Sequence, residues 1–161
     1  MPLTKGYMAL IDDEDYERVT AQGRWHAFVV KGKNTESFVY AARNDKQTNR
    51  KILLHRFIMG ITDRKIQVDH ENHRGLDCQK SNLRTCTHSQ NLGNMRKTRG
   101  TSRYQGVCHV EKGTKWVASI GQGTGKVRCL GHFTCEEDAA RAYDKAARVY
   151  FGKFANTNFA D

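Results

Sequence analysis

The sequence predicts an α+β protein of two small domains, and three observations carry that reading. Its 161 residues suit one domain or two small ones, and 38% apolar residues are enough to fill compact cores. Between residues 103 and 133 three alternating runs are separated by Gly-containing turns, the pattern of antiparallel strands joined as hairpins. One amphipathic run follows them and reads as a helix lying across the sheet. The chain divides into a first domain over residues 1–96 and a second over 97–161. The polar, basic stretch from Met95 to Ser102 forms the joint.

Charge narrows the partner. Lys and Arg number 27 against 17 Asp and Glu, giving +10 and a pI near 9.6, which favours a polyanion. The excess is spread out: residues 1–98 carry +6 and residues 99–161 carry +4. Five acidic residues stand together at Asp12, Asp13, Glu14, Asp15 and Glu17, with no evident function. The sequence has no run of about 18 apolar residues, the length a membrane span needs. The N-terminus lacks the apolar core of a signal peptide, so a cytoplasmic chain with no membrane partner is expected. The five cysteines, Cys78, Cys86, Cys108, Cys129 and Cys135, are odd in number and include no Cys-x-x-Cys. They read as reduced thiols, mostly small core fillers.

In the first domain, Val68-Asp69-His70 ends a short strand. A loop and return strand run to Thr85 or Cys86, and Thr87 can cap a helix that starts near His88 and carries Asn91 inward. This hairpin and helix bring Asp69, His70 and Asn91 together. Asp and Asn offer oxygen ligands, which suit Mg2+ or Mn2+ over Zn2+. A histidine, with its ordinary pKa of about 6.5, suits a general base. For His55 the reading is a packed histidine at the start of an apolar helix.

In the second domain the predicted strands are Arg103 to Val110, Lys115 to Ile120 and Lys126 to Phe133. Thr134-Cys135-Glu136-Glu137 has capping-box spacing, in which Thr134 caps the helix and Glu137 reaches back. The helix places Ala139, Tyr143, Ala146, Ala147 and Tyr150 on one face, with Asp138, Arg141, Asp144, Lys145 and Arg148 on the other. Gly152 stops it. The sheet's second face is left open, and a basic sheet of this width fits a major groove.

Five blocks in order give this half a resemblance. They are Ser102-Arg103-Tyr104-Gln105-Gly106-Val107, Trp116-Val117-Ala118-Ser119-Ile120, Leu130-Gly131-His132-Phe133, Glu137 through Asp144, and Asn158-Phe159. Together they resemble the AP2/ERF DNA-binding domain over nearly all of residues 100–160. The resemblance implies a sheet that reads double-stranded DNA, with Arg103, Lys115, Trp116 and Arg128 as carriers. Trp116 is equally a core residue by its type. Gln105, Cys108 and Cys129 depart from the residues usual there, so no target sequence transfers. Arg96, Lys97 and Arg99 of the joint are expected along a phosphate backbone.

The first half resembles the phage HNH homing endonucleases, a ββα-metal fold, over residues 8–95. Asp69-His70, Asn82-Leu83-Arg84 and Asn91 carry that likeness, with Leu54-His55-Arg56 upstream. It implies a site-specific nuclease that hydrolyses phosphodiester bonds with one Mg2+ or Mn2+, acting as a monomer or weak dimer in a bacterial cell. His70 would be the general base, Asp69 and Asn91 the metal ligands, and Asn82 the residue that ties the hairpin loop. No small-molecule cofactor is implied. The alternative is a non-catalytic, sequence-specific DNA-binding regulator whose HNH domain is degenerate.

Overall fold

The computed structural model describes residues 1–31, 37–94, 101–110, 115–121 and 126–160. It is α+β and falls into two compact units, Met1–Cys86 and Thr87–Asp161. The division lies ten residues before the 96/97 boundary read from the sequence. Most of that joint, residues 95–100, lies outside the described residues, and so do Arg96, Lys97 and Arg99.

The first unit opens with helix α1 (Asp13–Thr20). Strands β1 (His26–Lys31), β2 (Ser37–Asn44) and β3 (Lys51–Leu53) then form an antiparallel sheet in that order. Helix α2 (Leu54–Ile58) follows, and β4 (Gln67–His70) pairs antiparallel with β5 (Leu83–Cys86). Ala9, Val19, Trp25, Ala41, Leu54, Ile58, Cys78 and Leu83 make the core. Trp25 buries its ring yet keeps its indole N–H satisfied by donating to the Val19 carbonyl at 2.9 Å. The acidic run has a structural role. Asp12 accepts from the Lys80 backbone N–H at 2.8 Å, and Lys80 Nζ lies 2.6 Å from Glu14 and 3.1 Å from Asp15. Arg18 closes on Asp15 at 2.6 Å.

Thr87 caps helix α3 (His88–Asn94) reciprocally. Its hydroxyl accepts from Gln90 N–H at 3.3 Å, and the Gln90 side chain accepts from Thr87 N–H at 2.9 Å. The two strands and the helix expected to form one ββα-metal domain fall in different units, because α3 groups with the second. Gly93 lets the Phe151 ring lie against its backbone; a Cβ there would meet Phe151 Cγ at 2.4 Å. The Gly93 carbonyl also accepts from Asn156 N–H at 3.1 Å.

The second unit contains the predicted three-stranded antiparallel sheet, β6 (Val107–His109), β7 (Trp116–Gly121) and β8 (Val127–Phe133). Helix α4 (Glu136–Phe151) packs on it. Ala139 and Ala140 meet Val107 and Ala118, and the absence of bulk on the helix permits the close approach. Four local expectations change. Arg103 to Gln105 is a pinned turn and not strand, because Ser102 Oγ donates to Glu136 at 2.7 Å and Gln105 N–H donates to Asn158 Oδ1 at 2.6 Å. The helix is capped at Cys135, one residue late for the capping box, and Glu137 turns to Tyr104, Arg103 and Cys135. Asp144 is buried and not outward-facing, since it accepts from the N–H groups of Asn158 and Phe159 at 2.8 and 2.9 Å. Phe151 takes the core position expected of Tyr150, which is 40% exposed.

Candidate nucleic-acid interface

The two faces of the β6–β8 sheet differ. Trp116, Ala118 and Ile120 alternate on the side toward α4, where Ala118 and Ile120 are buried and Trp116 packs on the core. The Trp116 ring also meets His109 edge-on at 4.9 Å. Val117 and Ser119 alternate on the other side. Cys108, Val117 and His132 line up across the three strands there, and Cys129 pairs with Ser119 beyond a bulge at Ala118/Ser119. Cys108, Cys129 and His132 are exposed, so no element among the described residues covers this face. The thiol reading therefore splits: Cys78 and Cys86 are core fillers, whereas Cys108 and Cys129 sit on the open surface.

The predicted DNA carriers are not all on that surface. Lys115 is exposed and precedes β7 in register with Val117 and Ser119. Arg103 is exposed, spans the Tyr104 ring at 4.8 Å and donates to Glu137 at 3.1 Å. Arg128 pairs with Ile120, on the helix side, and donates to the Tyr150 hydroxyl at 2.7 Å. Periodicity alone could not place it, because the β8 bulge reverses the alternation between Arg128 and Phe133.

In the first unit, Asp69 and His70 end β4 and are both buried. Arg84, opposite Asp69 across the hairpin, pairs with its carboxylate at 2.9 Å. That guanidinium competes with any cation for Asp69. The His70 ring lies 4.8 Å from that of His55 and 6.0 Å from Tyr40, and its Nε2 is 3.9 Å from Cys78 Sγ. Burial holds the His70 pKa below the ordinary range, against the pull of Asp69 and Asp77. His55 is driven to about 3 by burial, with the charges of His70 and Arg56 adding to it. Burial pushes the Cys78 thiol up to about 12. Asn82 ties the loop before β5: its amide oxygen accepts from Asn72 N–H at 3.0 Å and its NH2 donates to the Asp77 carbonyl at 2.8 Å. Asn91 lies on α3, in the other unit from Asp69 and His70. Among the described residues, the grouping of three His, Cys, Asp or Glu ligand atoms is Asp12, Glu14 and Asp15, already engaged by Lys80 and Arg18. No helix among the described residues is long and apolar enough to cross a membrane.

No protein-family model matches the chain. Curated relatives do. The chain is 44% identical over 63 residues to the ethylene-responsive transcription factor WRI1 of Arabidopsis thaliana, covering 38% of this chain and 15% of that protein. It is 43% identical over 68 residues to the ethylene-responsive transcription factor ERN1 of Medicago truncatula, covering 42% and 25%. It is 47% identical over 62 residues to APETALA2-like protein 2 of Oryza sativa subsp. indica, covering 38% and 14%. The chain thus spans a quarter or less of the length of these relatives. They correct the expectation of a metal-dependent homing endonuclease: they are named as transcription factors or as an APETALA2-like protein, none of them as a nuclease. The similarity and the three-stranded sheet on one helix together support an AP2-like DNA-binding domain in this chain.

Proposed function

We propose that the chain is a non-catalytic, sequence-specific binder of double-stranded DNA, acting as a regulator, with the open face of β6–β8 as its reading surface. The observation that carries this is the identity to AP2/ERF transcription factors over a stretch the size of one unit, in a chain with such a sheet. The physical fit is direct. A three-stranded sheet backed by one helix presents period-2 side chains at a width a major groove admits. Lys115 supplies an exposed cation in register with the open face, and Arg103 is an exposed cation in the turn before β6. Val117 and Ser119 give one apolar and one hydrogen-bonding contact on the strand between them. Trp116 and Arg128 serve the helix side, so they support the sheet that Lys115 and Ser119 present.

Selection from a random duplex library tests the reading. The full chain should enrich one sequence and bind it at least about tenfold more tightly than a scrambled duplex, about 1.4 kcal/mol of discrimination. Lys115→Ala should weaken binding, and Ser119→Ala should alter the preferred sequence. Equal affinity for selected and scrambled duplexes would sink it.

A further inference from the structure

The β1–β3 sheet of the first unit carries a surface that the second unit's sheet does not account for. Phe28 pairs with Tyr40 and Val30 with Phe38, so all four share one face. Lys51, opposite Asn44, lies on that same face, and its ammonium sits 3.2 Å from the centre of the Phe28 ring. Phe38 is 46% exposed and Val30 37%, which is unusual for large apolar residues on neighbouring strands. Residues 24–56 hold eight Lys and Arg against two Asp and Glu. The unit's acidic cluster is engaged elsewhere, by Arg18 and Lys80. The basic excess is therefore concentrated on the segment that contains the exposed aromatic strip.

We propose that this face is a second DNA-contact surface, which grips duplex DNA without reading its sequence. A strip of aromatic and aliphatic carbon flanked by cations matches the alternation of sugar and phosphate along a strand. Lys51, held over Phe28, contacts one phosphate, Arg50, exposed just before β3, reaches another from the strand end, and Phe38 lies against deoxyribose. An acidic protein segment would satisfy the cations but would not reward an exposed Phe38 and Val30.

Fluorescence anisotropy on the full chain with a random-sequence duplex, titrated with salt, tests this. R50Q/K51Q should weaken binding about tenfold near 0.1 M salt and reduce the slope of log affinity on log salt by about two, close to 0.9 per lost phosphate contact. Phe38→Ser should weaken binding several-fold with the slope unchanged, because no charge is removed. R50K/K51R should bind as the parent does. If R50Q/K51Q no longer melts cooperatively, Arg50→Gln alone carries the test, with an expected slope change of about one. Parental affinity and slope in a natively melting variant overturn the proposal. So does displacement of the duplex by polyglutamate as readily as by unlabelled DNA at equal charge. The outcome is separate from that for the β6–β8 sheet: Ser119→Ala changes discrimination between sequences, whereas R50Q/K51Q lowers affinity for all of them alike.

Discussion

Gly106 lies with its bare Cα against the ring of Tyr143: a Cβ there would come 1.9 Å from Tyr143 Cδ2. Its φ is +74°, a region that side-chain-bearing residues seldom adopt. The Tyr143 hydroxyl meanwhile accepts from Gln105 Nε2 at 2.7 Å, so the ring cannot swing aside without losing a bond. Gly106→Ala therefore combines backbone strain with overpacking, and should destabilise the second unit by about 2–4 kcal/mol. Urea unfolding followed by Trp116 fluorescence reads this directly. An unchanged midpoint would show that the turn relaxes freely.

Arg84 and Asp69 are a nearly dry ion pair, with side chains 12% and 7% exposed. Removing one partner strips the other, still buried, of this countercharge. Arg84→Met should cost about 3–5 kcal/mol. R84M/D69L should recover much of that, because the desolvation cost of both charges then disappears. A double-mutant cycle on chemical denaturation provides the measurement, and a pair that proves additive contradicts the coupling.

The first unit should weaken in acid. His55 and His70 are held neutral in the folded state, with pKa values below the ordinary 6.5. Below about pH 6.5 the unfolded chain takes up protons that the folded chain refuses, so stability falls as pH falls. For His55 the loss continues down to its folded pKa of about 3, with a slope of up to about 1.4 kcal/mol per pH unit. Above pH 7 neither state binds the proton and the dependence vanishes. Melting temperature against pH should show this decline, and His55→Leu should flatten it.

The second unit was legible in the sequence because its signals are local. Gly-containing breaks mark the hairpins, and the run of alanines marks a helix that must lie close to a sheet. The features that escaped depend on distant partners. Arg103 to Gln105 has strand-like residues, but Glu136 and Asn158 hold it as a turn. Arg128 changes side because of a bulge beside Gly131, whose φ of +145° makes this glycine the one local signal for it. The β1–β3 sheet was not anticipated: Ala27, Ala41 and Ala42 are weak strand formers, and they are there because they are buried. For the first half, Asp69, His70 and Asn82 fall where a hairpin should put them, yet residue types alone did not reveal that Arg84 engages Asp69 or that α3 belongs with α4.

The clasp between the N-terminal acidic run and Lys80 has a consequence for how the first unit comes into being. Asp12 bonds a residue 68 positions away, and the Leu10 backbone exchanges hydrogen bonds with Leu76 and Cys78. The segment around Leu10 and Asp12 is thus an edge of a structure whose other edge lies far along the sequence. On the ribosome, α1 emerges long before its partner and must wait, with its carboxylates repelling one another, until Lys80 is released. Loop closure over such a span is a slow step paid in entropy. Until then Val19 and Trp25 have Ala41, Leu54 and Ile58 to pack on but lack Cys78 and Leu83, so their core closes only when the segment around Lys80 arrives.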